Sequence, residues 1–265
     1  MKKTIILSFL IAASATAFAA DDDILSKPIE SLTEAERAER HRIKLYQRTG
    51  GFIFRREANP GMFAFVNAQK KVPSSVFADD AKEMCRICKI DYVFTNRNAG
   101  VTMANATQAL KETTANAALF IVDDPAIPAT VLLAPEQRWG IVNVAALGGD
   151  KPSKDAFERR VRLEVWRGFS MVAGSHATET PHCVLAPVAS LSDLDNLDGN
   201  TFSPEPLSRM EKNLRRFGIK PYYRCSYKTA CKQGWAPPPT NDVQKAIFDA
   251  VKNGEKESGK RGKAK

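Results

Sequence analysis

Ala117-Ala-Leu-Phe-Ile-Val122 is six apolar residues in an unbroken row. A run this short, with branched and aromatic side chains, reads as a strand covered on both faces. Asp123-Asp124-Pro125 ends it. Downstream, Thr130 to Ala134 and Trp139 to Ala146 read as two further strands, joined by Pro135-Glu136-Gln137-Arg138. Ser153 then caps a long helix to Ala173, with Gly174 closing it. Phe157, Val161, Val165, Gly168 and Val172 recur at helical spacing and are expected to face the sheet. Upstream, Met62 to Val72 reads as a strand, Ser74 to Cys88 as a helix capped by Ser74 or Ser75, Ile90 to Thr95 as a strand and Ala104 to Thr114 as a helix. The order β-α-β-α-β-β-β-α predicts an α/β fold: a mixed sheet with one long helix packed across it.

Outside this stretch the signals thin. Ser31-Leu-Thr-Glu34 has the form of a capping box and opens a charged helix to about Gln47, expected on the surface of the main domain. Gly50-Gly51 and Asn59-Pro60-Gly61 are breaks. After Gly174 the chain is irregular and proline-bearing, with a short helix from Pro206 to Phe217 and a final helix from Asp242 to Val251. The expected organisation is a leader (1–19), a charged N-terminal helix (20–50), the α/β domain (51–221), an extension (222–251) and a basic flexible tail (252–265).

Lys2-Lys3, the apolar run Ile5 to Ala12 and Ala17-Phe18-Ala19 follow the order of a cleaved signal peptide, so the protein is expected to be exported, to the periplasm or beyond. The apolar run is too short to span a bilayer. Without Lys2 and Lys3 the formal charge falls from +9 to +7. Lys252 to Lys265 hold six basic and two acidic residues in a Gly- and Ser-bearing stretch. Such a tail is too polar to order itself; the plain reading is a solubilising end, and the alternative is a docking site for an anionic envelope polymer or lipid headgroups. Nothing points to specific nucleic-acid binding. Among the five cysteines, Cys225 and Cys231 close a short loop and are expected to be bridged after export. Cys85-Arg-Ile-Cys88 falls late in its helix, away from the N-terminus that would activate a thiol.

No Gly-x-Ser-x-Gly and no glycine-rich phosphate loop is present. His176 and His182, with Cys183 and Glu179 nearby, are the one set with metal-ligand chemistry, and the plain alternative is an exposed polar loop. Leu163-Glu-Val-Trp-Arg-Gly-Phe-Ser-Met-Val-Ala-Gly174 lies in the long helix, and Cys183-Val-Leu and Ser203-Pro-Glu-Pro206 follow it. By the spacing of these pieces, the stretch from Ala117 to Pro206 resembles the archaemetzincins, a branch of the zinc metallopeptidases. Their helix carries His-Glu-x-x-His-x-x-Gly-x-x-His-Cys: two histidines one turn apart grip a zinc, and the glutamate polarises its water. Laid onto this chain, only Glu164 survives. Leu163, Arg167 and Ala173 stand at the histidine positions, Ser170 at the glycine and Gly174 at the cysteine. Of the family's four structural zinc cysteines, Cys183 alone remains, and the Cys-x-x-Cys falls on Ser203 to Pro206.

The resemblance therefore implies a metzincin-like fold and a pseudo-peptidase: Glu164 vestigial, no zinc, and an unknown protein or peptide ligand in the old cleft. That cleft is expected along Trp139–Ala146 and the helix face with Leu163, Arg167 and Ser170, where Arg138 and Arg167 meet a carboxylate. Arg167 cannot be buried unpaired, so Glu164 or Glu179 is its expected partner unless it turns to the cleft. Ion pairing with Arg160 and Arg167 on one helix face accounts for Glu164 without catalysis. Two alternatives stand beside this reading: an active secreted zinc peptidase with His176, His182 and Cys183 as substitute ligands, and a basic envelope-binding protein.

Overall fold

Residues Ala117–Val122 form β4, the middle strand of a five-stranded sheet, and all six are buried. The computed structural model describes residues 21–70, 72–180, 182–198 and 201–261, so the expected leader lies outside the described residues. The described chain divides into two units: residues 57–222, and residues 21–56 together with 223–261.

In the 57–222 unit, β2 (Met62–Ala68), β3 (Asp91–Arg97) and β6 (Trp139–Asn143) join β4 in parallel, and β5 (Val131–Ala134) closes one edge antiparallel to β6. The order across the sheet is β3-β2-β4-β6-β5, a mixed α/β sheet as the sequence predicts. Parallel strands need covered faces, and both faces are covered. Helix α4 (Ala106–Glu112) packs over Ala64, Val66, Phe120 and Ile141. On the other face, α3 (Ala78–Cys88) and the long α6 (Lys154–Val172) pack over Phe63, Phe65, Leu119 and Val142.

Helix α6 starts where its sequence says. The Ser153 hydroxyl accepts from Ala156 N at 3.3 Å, and Gly174 follows the helix end at φ 89°. Val161, Val165, Phe169 and Val172 are fully buried. Glycine brings helix and sheet together: a Cβ on Gly168 would lie 2.9 Å from Leu119 Cδ1, and one on Gly140 of β6 would lie 2.7 Å from Val172 Cγ2.

Several boundaries differ from the sequence reading, each for a local reason. Strand β2 stops at Ala68 because Gln69 and Lys70 turn at φ 61° and 54°. Ser74–Val76 is a 3-10 turn, so α3 begins at Ala78 and neither Ser74 nor Ser75 caps it. Strand β6 ends at Asn143, whose Oδ1 accepts from Ala145 N at 3.3 Å and starts a short helix, α5 (Val144–Leu147). Beyond α6 come α7 (Leu191–Asp195) and α8 (Pro204–Arg216). The unit's two ends are fastened side by side: Lys220 N donates to Pro60 O at 2.6 Å, and Lys220 Nζ lies 3.1 Å from Glu57 Oε2.

The other unit joins what the sequence reading separated. It holds α1 (Asp21–Ser26), α2 (Glu34–Thr49), β1 (Phe52–Arg55), β7 (Tyr223–Ser226), α9 (Tyr227–Lys232) and α10 (Asp242–Arg261). The charged helix is thus part of this unit, not a surface element of the main domain. Its cap is Thr33, two residues past the expected serine; Thr33 and Glu36 form the reciprocal box. Strand β1 pairs antiparallel with β7 across the whole intervening chain. Helix α10 continues ten residues beyond Val251, into the segment expected to be a flexible tail.

The expected Cys225–Cys231 bridge is not formed. Both are thiols, the Cys225 Sγ donates to Ser226 O at 3.3 Å, and burial pushes both thiols up, away from the reactive thiolate.

Candidate functional site

Four of the site positions named by the sequence lie on α6, and α6 is buried almost all round. The sheet covers one side. On another, Trp166 donates to Asp80 Oδ1 at 2.8 Å and packs on Phe202 at 4.7 Å between rings. An ionisable residue on such a helix needs an internal partner.

Glu164 is 3% exposed. Its Oε1 accepts from Thr130 Oγ1 at 3.1 Å, just before β5 begins. Its Oε2 lies 3.4 Å from Arg167 Nε, near enough for charge attraction, while Nε makes no regular hydrogen bond. Burial raises the Glu164 carboxyl above its ordinary value, and the Arg167 charge and the Thr130 hydroxyl oppose that rise. Arg167 is itself 6% exposed. Its Nη1 donates to Val184 O at 3.0 Å and Ala186 O at 2.7 Å. One guanidinium therefore joins the long helix to the segment that follows it.

Arg160 does not share this pair. It donates to Asp150 (2.5 and 2.8 Å), Asp195 (2.8 and 2.6 Å) and Leu147 O (2.9 Å). The two aspartates are held low by that guanidinium. The single-face ion-pair reading of Glu164 is thus right for Arg167 and wrong for Arg160. Asp150 lies in a turn and Asp195 ends the short helix α7, neither in a distinguishing pattern, so the sequence offered no signal for them. Thr130 was missed for the same reason.

The expected cleft is not assembled. Ser170 is fully buried and its hydroxyl donates to Trp166 O, one turn back, at 2.6 Å. Strand β6 is interior with all five residues buried, and the edge on its side of the sheet is β5. Arg138 is exposed at φ 67°, in the turn from β5 to β6. Thr130 is at the other end of that hairpin, opposite Asn143, five residues or roughly 17 Å along the strand from Arg138. Arg138 and Arg167 therefore do not converge.

The alternative ligand set is also dispersed. His182 Nδ1 lies 2.8 Å from Asp198 Oδ2 and both are exposed; His176 and Glu179 are exposed. Cys183 is buried, and Ser203 Oγ donates to its Sγ at 3.5 Å. Among the described residues, no three His, Cys, Asp or Glu side chains form a metal-binding group. Two positions that the motif spacing assigns to one structural zinc, Cys183 and Ser203, do meet in space. Cys85 and Cys88 are fully buried, and burial pushes Cys88 up to about 12.

A Zn²⁺ ion does not fit at the Glu164 position. Leu163 has no donor atom, Ala173 has none, and Arg167 places a permanent cation where a ligand would stand. Glu164 is already engaged by Thr130 and Arg167.

Fold and site define a mixed α/β unit crossed by a long buried helix with an internal Glu–Arg pair. In structure the chain is similar to an archaemetzincin from Methanopyrus kandleri, at 18% identity and a TM-score of 0.46, over 59% of this chain and 97% of that one. It is also similar to a zinc-dependent peptidase from Methanocorpusculum labreanum, at 13% identity and a TM-score of 0.43, over 57% of this chain and all of that one. No family model matches the sequence, and no curated protein matches it.

Proposed function

We propose that this is an exported, catalytically inactive metallopeptidase-like protein that acts by binding. The observation that carries this reading is the commitment of Arg167. It occupies a position where the family motif has a zinc histidine, and it spends its donors on Val184 and Ala186 and its charge on Glu164. A buried ion pair thus stands where the resemblance puts a metal. The meeting of Cys183 with Ser203 supports the motif register from a second place. Export rests on the Lys2-Lys3, apolar and Ala17-Phe-Ala19 sequence; among the described residues no helix is long and apolar enough to cross a membrane.

Partner binding falls to the unit outside the sheet. Residues 57–222 hold nineteen basic and nineteen acidic side chains, whereas residues 21–56 and 223–265 hold eighteen basic against eleven acidic. That imbalance favours an anionic envelope polymer as partner, met by the basic segment Lys252–Lys265.

The test is metal content and peptide hydrolysis on mature protein recovered from the exported fraction. Less than a tenth of an equivalent of zinc and no cleavage are expected, with an N-terminus near Asp21. One equivalent of tightly held zinc, lost in Glu164→Gln or His182→Ala, overturns the reading and favours the active peptidase.

A further inference from the structure

Helices α9 and α10 flank an open groove of about 530 Å³, within the size range of small-ligand sites. Ala246, Ile247, Ala250 and Gly254 line it from α10, and Lys228 and Lys232 line it from α9. The cause is local. Ala246, Ala250 and Gly254 recur every fourth residue, so one face of α10 has no bulk to fill the space beside it. A methyl group added at Gly254 would meet no atom within 4 Å. The floor is apolar along two turns of helix, roughly 12 Å from Ala246 to Gly254.

The two lysines stand four residues apart on the same helix face, and both are exposed. Among the described residues neither is paired with a carboxylate. An apolar trough calls for an alkyl chain, and two exposed ammonium groups beside it, unpaired among the described residues, call for an anion. A second copy of this chain is a poor occupant, because it would bring its own excess of positive charge to these lysines.

We infer that the groove binds a free single-chain carboxylate of fatty-acid type, its chain along Ala246–Gly254 and its carboxylate on Lys228 and Lys232. This goes beyond the proposed function and is independent of the Glu164 site, so the zinc assay and the experiment below can fail separately.

The test is calorimetric titration of the full mature protein with dodecanoate, kept below its micelle-forming concentration. Saturable binding of one dodecanoate is expected. Ala250→Trp and Ala246→Trp, which fill the trough from an exposed helix face, should each weaken it at least tenfold, as should Lys228→Glu/Lys232→Glu. Dodecyltrimethylammonium, with the same tail and the opposite charge, should show no saturable binding. Three results overturn the inference: no saturable dodecanoate binding, binding that survives both tryptophan variants, or equal binding of the cation. A fourth does so as well: phosphatidylglycerol vesicles that capture wild type and both tryptophan variants alike while dodecanoate is not bound, since the attraction is then to a charged bilayer surface.

Discussion

Glu164 and Arg167 share a space from which water is excluded, and that governs what each tolerates. Removing one member of a buried pair typically costs about 3–5 kcal/mol, because the other charge is left uncompensated. Arg167→Ala is expected to lose stability on that order, read by urea denaturation. The double variant Glu164→Gln/Arg167→Met should recover only part of it, since the Val184 and Ala186 carbonyls lose their donor in both. An Arg167→Ala protein as stable as wild type would make the arginine a bystander. Glu164 also sets a pH dependence. Burial raises its carboxyl above the ordinary 4.5, so the folded chain holds the proton longer than the unfolded one. Its contribution is complete below about pH 4.5 and is lost as pH rises through the folded value. Glu164→Gln should flatten the stability profile above pH 4.5, and an unchanged slope would show that the group titrates normally. The pairing itself was legible, since Glu164 and Arg167 lie three residues apart on one helix face. Its partners Thr130, Val184 and Ala186 were not. Two of them act through backbone carbonyls, which no residue type encodes.

At the scale of elements, α6 and β4 were the clearest parts of the sequence because each satisfies several rules at once. β4 is continuous and apolar; α6 has a serine cap, a periodic apolar face and a terminal glycine. The two-stranded ribbon of β1 and β7 was invisible. Phe-Ile-Phe-Arg and Tyr-Arg-Cys-Ser are four residues each, too short to show alternation, and they lie at opposite ends of the chain. Asn143 ended β6 early through a side-chain cap that apolar patterning cannot register. The Gly168 contact gives this scale its prediction. Gly168→Leu should force α6 from Leu119 and Val142 and cost about 1–3 kcal/mol. Gly168→Ala should change stability by less than about 1 kcal/mol, because alanine's better helix propensity offsets its smaller intrusion. Thermal denaturation of both decides it; a Gly168→Leu protein that melts with wild type would show that helix and sheet are not in close contact here.

For the whole molecule, charge is divided as sharply as structure: the sheet-bearing unit is balanced and the other carries the excess. Binding to a sulfonate cation exchanger should therefore depend on where charge is reversed. Lys245→Glu/Lys252→Glu should elute at clearly lower salt, and Lys82→Glu/Lys151→Glu, with the same change in net charge, should elute near wild type. Equal shifts would mean that net charge alone sets retention. Strands β1 and β7 come from opposite sides of residues 57–222, and that intervening segment fastens its own ends through Lys220, Pro60 and Glu57. This has a consequence for biosynthesis. During synthesis β1 precedes residues 57–222 and has no partner until they and β7 have been made. The sheet-bearing unit can fold on its own local schedule, and in doing so it shrinks the loop that β1 and β7 must close from a whole domain to a few residues. The β1–β7 ribbon then forms after the sheet-bearing unit, and a chain truncated before Tyr223 would leave β1 as an unmatched strand edge.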